Sequence, residues 1–518
     1  MRAVTAVSVS ALLIACSPDS ATAQSEAELN TSGSPAATAD EALAALGLAQ
    51  SGSGILSFAS VETQGSAQVF SNVTFEAPDG DGGFTAETLR LVNPRTDGDG
   101  VVFDGLEILN LAGGDDEFRI NVDRWVLVEP NPAIARIVAM AFAGEEPDED
   151  YDWGAPSDYG FAAFEISGVS MAGEGDDADL ENLSIGSISL RDFAAGQLGS
   201  FLFENLDIAA VSEEGEDVSI TLGEFSINGL DLAALDEIAE MEDFDDEEAF
   251  QNALLNSGLS DPYKKYYDDY ALRAFALSVD GVNVGLESYA GELQQTRVGL
   301  ESVDTLRGLT VSFDDAYDSG AQALQALAML GYEGFTVEGD FVQTMNEVED
   351  RVASDEFSLR IIDALTFEAD YDFGGIGDYV KNAAKLMDAS AEIDPSELNE
   401  AIAPLILSNF ELRLTDESIV ERALNAVAEQ QGSTPERVRQ QAIGMLALGS
   451  ITAPPELQPI VSDAIEAATA FLETPGSTLR IALAPEEPLQ LSDVVAAFEQ
   501  GDIEGGVSLL NVQIEASE

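Results

Sequence analysis

Three kinds of side chain in this sequence can do chemistry: one cysteine, a large excess of carboxylates, and a short stretch rich in tyrosine and lysine. Cys16 is the single thiol in 518 residues. It lies in "SALLIACSPDSATAQ" (10–24), where two bacterial export signals overlap. Arg2 supplies a positive start, and residues 4–15 form an apolar run too short to span a bilayer as a helix. Leu13-Ile14-Ala15-Cys16 has the form of a lipobox, in which Cys16 is acylated and becomes the first residue. Ala21-Thr22-Ala23 instead fits ordinary cleavage after Ala23, which would discard Cys16. The expected outcome is lipidation of Cys16, because cleavage at Ala23 leaves a long polar stretch behind the apolar run. Each buried methylene of an acyl chain contributes about 0.8 kcal/mol, so several chains anchor firmly. Residues 1–23 are thus read as a signal, and residues 24–37 as a flexible polar tether.

Asp and Glu number 97 against 21 Lys and Arg, a net charge of −76. A surface of that sign repels phosphate backbones, so no nucleic-acid partner is expected. Salt adaptation explains such a surface without any ligand; calcium binding is the sharper reading. Acids cluster in loops at Asp97 and Asp99, at Asp148, Asp150 and Asp152, at Asp176, Asp177 and Asp179, and at Asp243, Asp245 and Asp246. Oxygen-rich loops of this kind can hold calcium, although none has the EF-hand order of acids, Gly and a closing Glu. No other cofactor is expected.

The sequence contains no histidine. That removes Ser-His-Asp and Cys-His catalysis and histidine zinc sites. No Gly-Lys dipeptide, Gly-x-Ser-x-Gly or Ser-x-x-Lys occurs, so phosphate-loop and serine-nucleophile motifs are absent. Two-carboxylate hydrolysis survives as an option, but among 97 acids no pair stands out. A non-enzymatic role is therefore expected. "DPYKKYYDDYALRAF" (261–275) places Tyr263, Tyr266, Tyr267 and Tyr270 at roughly helical spacing beside Lys264 and Lys265. Such a set can dock on a partner or a membrane interface, or pack at a helix-to-strand junction.

The elements that position these groups are mostly strands. "VFSNVTF" (69–75), "VVFDGLEIL" (101–109), "FEISGVSM" (164–171), "FLFENLDI" (201–208), "FSINGLDL" (225–232) and "LSVDGVNV" (277–284) alternate in polarity, meet a polar residue with Gly or Asn, then resume. Phe225, Ile227, Leu230 and Leu232 include one odd step. An unbroken strand would turn Leu230 to the other face, and one extra residue at Asn228-Gly229 restores it. Bulged strands are expected, with a tight hairpin as the rival reading.

The fold class expected is α+β, mainly β: a long curved antiparallel sheet with bulged strands, interrupted by helices, and a helix-rich C-terminal module. Helices are expected at 39–49, 131–144, 232–258, 318–331 and 460–472, with another starting at "STPE" (433–436). The closing strand is expected over 507–516. Boundaries are expected after residues 23, 53, 245 and 376. "YDWGAPSDY" (151–159) and "YDFGGIGDY" (371–379) share a spacing that suggests two related β units.

The stretches "FELRLTDESIVERALNAVAEQQGSTPERVRQQAIGML" and "FLETPGSTLRIALAPEEPLQLSDVVAAFEQ" resemble the end region of uncharacterised exported proteins of alphaproteobacteria, a family that offers no catalytic motif to transfer. The Gly-interrupted strands resemble, in style, AsmA-type envelope proteins, whose curved sheets handle lipids. Ser17 after the cysteine, by resemblance to known lipoproteins, implies the outer membrane. Together these imply an exported, lipid-anchored envelope protein of periplasm or outer membrane, whose partners are the membrane and a lipid or an envelope protein. A calcium-dependent surface interaction or adhesion protein and a carboxylate hydrolase remain the alternatives.

Overall fold

The computed structural model describes residues 27–52, 55–76, 83–98, 100–114, 118–143, 155–173, 180–211, 217–235, 261–279, 281–314, 324–325, 327–384, 395–452 and 457–517. Strands dominate, and twenty of them are bonded in antiparallel ladders. The mainly β expectation, with a long antiparallel sheet and helices gathered toward the C-terminus, is borne out. The chain divides into two compact units. The first covers the described residues up to Ala233, with Tyr267–Ala276 and Ser288–Glu292; the second holds the remainder.

The first unit contains β1 (Leu56–Ser57), β2 (Ser60–Gln64), β3 (Ala67–Glu76), β4 (Gly83–Val92), a small hairpin of β5 (Arg95–Asp97) and β6 (Gly100–Val102), β7 (Gly105–Gly114), β8 (Phe118–Val128), β9 (Gly160–Gly173), β10 (Leu180–Ala194), β11 (Gln197–Val211) and β12 (Asp217–Asp231). From β3 through β4, β7, β8, β9, β10 and β11 to β12, each strand pairs with the next. Every one of these strands leaves the ladder at the same level, at Asn72, Glu87, Asn110, Asp123, Gly168, Gly186, Asn205 and Gly223 in turn. A second line lies six residues away, inside β9–β12 at Ala162, Asp192, Gly199 and Gly229, and just past the strand ends at Ser66, Asn93, Asp104 and Glu129.

At each crossing one of the two facing residues is left-handed. Asn72, Asn110, Gly168 and Asn205 have φ of +51, +53, +64 and +56° on alternate strands of the first line; Asn93, Glu129, Asp192 and Gly229 have +50, +49, +55 and +65° on the second. Asn, Asp and Gly tolerate that region best, which explains the residue types at all of these positions but Glu129. The break expected at Asn228-Gly229 is thus present, with one difference. The facing strand breaks too, so Leu198↔Leu230 and Ser200↔Asn228 keep one register across it.

This arrangement returns apolar side chains to one face after every odd step. Phe70 and Val73, Ile108 and Leu111, and Phe161 and Phe164 are such pairs, and all six join a single cluster. Helices Ala39–Ala45 and Pro132–Ala143 lie with this unit. Their side chains Leu43, Ala135 and Phe142 belong to the same cluster as the β3, β4 and β7 face.

The second unit holds most of β14 (Val282–Gln295), then β15 (Gly299–Phe313), β16 (Gly334–Asn346), β17 (Arg351–Ile361), β18 (Leu365–Gly374), β19 (Ile406–Asp416), β20 (Thr478–Leu483), β21 (Leu489–Gln490) and β22 (Val512–Ser517). β13 (Asp269–Val279) belongs mostly to the first. Helices Ile376–Ala384, Pro395–Ile402, Ile419–Gln431, Pro435–Thr452, Gln458–Glu473, Leu491–Glu499 and Ile503–Leu510 belong to the second unit. The register here shifts by one at several bulges, as between Ser354 and Phe357 on β17.

Several expectations are corrected. "LSVDGVNV" is two strands, ending at Val279 and restarting at Val282 with Gly281 at φ +73°, so it is not one continuous bulged strand. Residues 507–510 are helical, not extended. Asp502 caps that helix by accepting the Gly505 N–H at 2.9 Å, and left-handed Asn511 ends it before β22. Most of 232–258 lies outside the described residues; residues 232–235 form a single 3-10 turn. Of the two matched motifs, Asp158 closes a 3-10 turn before β9, while Asp378 lies in the helix after β18, so their surroundings differ.

Candidate apolar binding face

Between the two break lines each strand offers five residues, alternating in direction. The second and fourth build two continuous cross-strand rows. One runs Leu91–Leu106–Leu127–Phe164–Leu190–Phe201–Ile227. The other runs from Phe70 and Leu89 through Ile108, Trp125, Ile166 and Ile188 to Phe203 and Phe225. Beyond the first break line a third row passes from Val73 to Leu206 and Leu222. Cross-strand apolar and aromatic pairs of this kind each contribute about 0.2–1 kcal/mol.

The rows are not covered evenly. Phe70, Leu89, Leu91 and Leu106 are buried. Ile188, Leu190, Phe201, Phe203 and Phe225 are half-buried. Phe201 and Phe225 stack at 5.5 Å, and Phe161 links Phe164 to Phe193 at 6.3 and 5.4 Å. The apolar face thus continues from a packed core onto β10–β12 as a partly open aromatic and aliphatic strip.

The opposite face carries charge. Arg90 pairs with Glu107, Glu107 with Arg124 at 2.8 Å, Arg124 with Glu165 at 3.1 Å, and Glu165 with Arg191 at 3.6 Å. Glu107 and Glu165 are each only 6% exposed, and these arginines supply the counter-charges that buried carboxylates need. The Ala27 N–H donates to Glu165 Oε2 at 3.0 Å, and Arg124 donates to the Ala27 carbonyl. Leu29 packs beside Val126, Val128 and Val69. The reading of 24–37 as a loose tether is therefore corrected for residues 27–29, which are docked on the polar face.

This ladder was missed in the sequence. Its signal was available as single charges flanked by apolar residues in mid-strand, "LRL" at 89–91, "LEI" at 106–108 and "FEI" at 164–166. The second unit repeats the design. Glu515, Arg480, Glu411, Arg413 and Asp370 form one chain of ion pairs. Arg480, donating to the Glu411 carboxylate, holds Glu411 below the usual glutamate range, with Arg413 adding to it against partial burial.

The tyrosine cluster is not helical. Asp261 accepts the Tyr263 N–H at 2.9 Å, turning the chain, and Tyr270 already lies in β13. Tyr263 donates to Asp350 at 2.7 Å; burial, then that carboxylate, raises its hydroxyl pKa. Lys264 sits 5.3 Å from the Tyr266 ring centre, next to Lys265. Tyr267 packs against Tyr270, and the Tyr270 and Tyr289 hydroxyls are bonded at 3.0 Å. These groups are engaged within the chain.

Of the acidic candidates, Asp97 lines a polar cleft of about 810 Å³ with Glu28, Asn93, Arg95, Asp104 and Glu129. Both Asp104 oxygens are taken, by Arg95 at 2.6 Å and Asn93 at 2.7 Å. Among the described residues no three acids, cysteines or histidines are grouped to hold a metal. Asp99, Asp148, Asp150, Asp152, Asp176, Asp177, Asp179, Asp243, Asp245 and Asp246 lie outside the described residues, as do Cys16 and Ala23. Among the described residues, no helix is long and apolar enough to cross a membrane.

A search of curated proteins finds no match. Over residues 358–517, which carry β18–β22 and the Glu411–Arg480 pairs, the chain is similar to a protein family whose model bears the description "Uncharacterized protein".

Proposed function

We propose that this is a non-enzymatic bacterial envelope protein, lipid-anchored through Cys16, that holds a lipid or similarly apolar ligand on the β9–β12 face. The observation that carries the reading is the half-buried strip of Ile188, Leu190, Phe201, Phe203 and Phe225, continuous with the packed core. Exposed apolar area of this kind is costly in water at about 25 cal/mol per Å², and large contiguous patches mark binding surfaces. The aligned breaks support the same reading, since they keep the three apolar rows on one face over eight strands. The opposite face, closed by ion pairs and the docked Ala27–Leu29 segment, offers an acyl chain nothing comparable.

Titration with a fluorescent fatty acid tests this. The expected result is saturable binding that weakens about tenfold or more in F203E/F225E, where charge enters the strip. F203A/F225A, which trims without adding charge, should weaken it less. Equal affinity in all three would remove the strip from the account.

A further inference from the structure

Helix Pro435–Thr452 packs against helices Ile419–Gln431 and Gln458–Glu473, with Val438 turned in toward Leu424 and Ala428. Its other face is open. Arg437, Gln441, Met445 and Leu448 follow one another at helical spacing and are all exposed, Met445 by 64% and Leu448 by 62%. Between Glu436 and Glu456 the sequence has no acid, although acids number 97 in 518 residues, and that interval contains Arg437 and Arg439. On a chain of net charge −76, this acid-free interval lets the face approach a phosphate-bearing surface, exposed Glu436 beside Arg437 being the acid nearest to it in sequence. It offers a cation at one end and two long flexible apolar side chains at the other, groups that suit lipid phosphate and the headgroup boundary.

We propose that this face rests on a phospholipid surface, with Met445 and Leu448 entering the headgroup boundary and Arg437 against lipid phosphate. The proposal builds on the lipid-holding reading and adds the place where the protein meets the bilayer independently of Cys16. The test uses the full chain with Cys16→Ser, which carries no acyl group, sedimented with phosphatidylcholine vesicles at about 0.15 M salt. The parent should sediment with vesicles. M445D/L448D should lose about tenfold of that partition, and R437Q about twofold. Both sites are exposed, so unchanged thermal melting is expected of the variants.

Unchanged vesicle binding in M445D/L448D overturns the proposal. So does a lipid-independent dimer that M445D/L448D dissolves, which would make a second copy the occupant. Fatty-acid binding by M445D/L448D separates the two readings. It should stay intact, and if it is absent in the parent while vesicle binding persists, the carrier reading falls and the docking face stands.

Discussion

The two units interrupt their strands in different ways. From β3 to β12 the eight paired strands share one break level, β9–β12 share a second, and each ladder keeps its register across these breaks. In the second unit a single strand carries the extra residue. Asp355 and Glu356 of β17 face Asp370 alone on β18, and the register moves by one. β18 itself keeps even steps, from Phe367 to Ala369, Tyr371 and Phe373. The first arrangement is collective, since each break is correct only because its neighbours share it. The second is local. The lesson is that one apolar pattern, an odd step flanked by Gly or polar residues, serves two constructions that only the neighbouring strands distinguish.

Deletion breaks the comparison most sharply. Removing Gly168 puts β9 out of phase with both β8 and β10 and should cost about 4 kcal/mol or more, measured by urea unfolding. Removing Asp355 leaves β17 as regular as β18 and should cost less than about 1.5 kcal/mol. Similar losses from both deletions would contradict the distinction.

Arg124→Met takes one of the two arginine partners from each of two buried carboxylates, leaving Glu107 with Arg90 and Glu165 with Arg191, and releases the Ala27 carbonyl. A loss of about 2–4 kcal/mol is expected in the same measurement, with faster hydrogen exchange at residues 27–29. Gly229→Ala comes next. A Cβ there would lie 2.3 Å from Asp268 Oδ2, at φ +65°. The expected cost is about 1–3 kcal/mol, partly recovered when Asp268 is also trimmed to Gly.

The smallest effect concerns pH. The pairing with Arg480 lowers the folded-state pKa of Glu411, so its contribution is complete above the ordinary glutamate value and is lost as pH falls through the depressed one. Arg480→Gln should therefore cost about 1–2 kcal/mol at neutral pH. The gap to the parent should close in acid; a gap that widens there would contradict the pairing.

Much of the fold was legible in the sequence because period-two alternation and its interruptions are local signals. Phe225, Ile227 and Leu230 announce a break within a few residues. That Gly229 faces Gly199, and Gly168 faces Gly186, was hidden because it depends on the register between neighbouring strands, which the pattern of one strand does not set. The reading of Tyr263–Tyr270 as a helix face failed for a related reason. Spacing alone cannot reveal that Asp261 turns the chain and that Asp350, 87 residues away, receives the Tyr263 hydroxyl. The apolar strip was expected only as a consequence of bulged strands. Its position on β10–β12 follows from where Leu43, Ala135 and Phe142 cover the sheet and where they do not.

The claim that the open strip holds an apolar ligand is tested most directly by native mass spectrometry of the full chain purified from its own envelope. The account predicts a mature mass beginning at an acylated Cys16, with a co-purified lipid that is lost in F203E/F225E. A mature mass beginning at Gln24 with nothing bound would contradict both the anchor and the carrier.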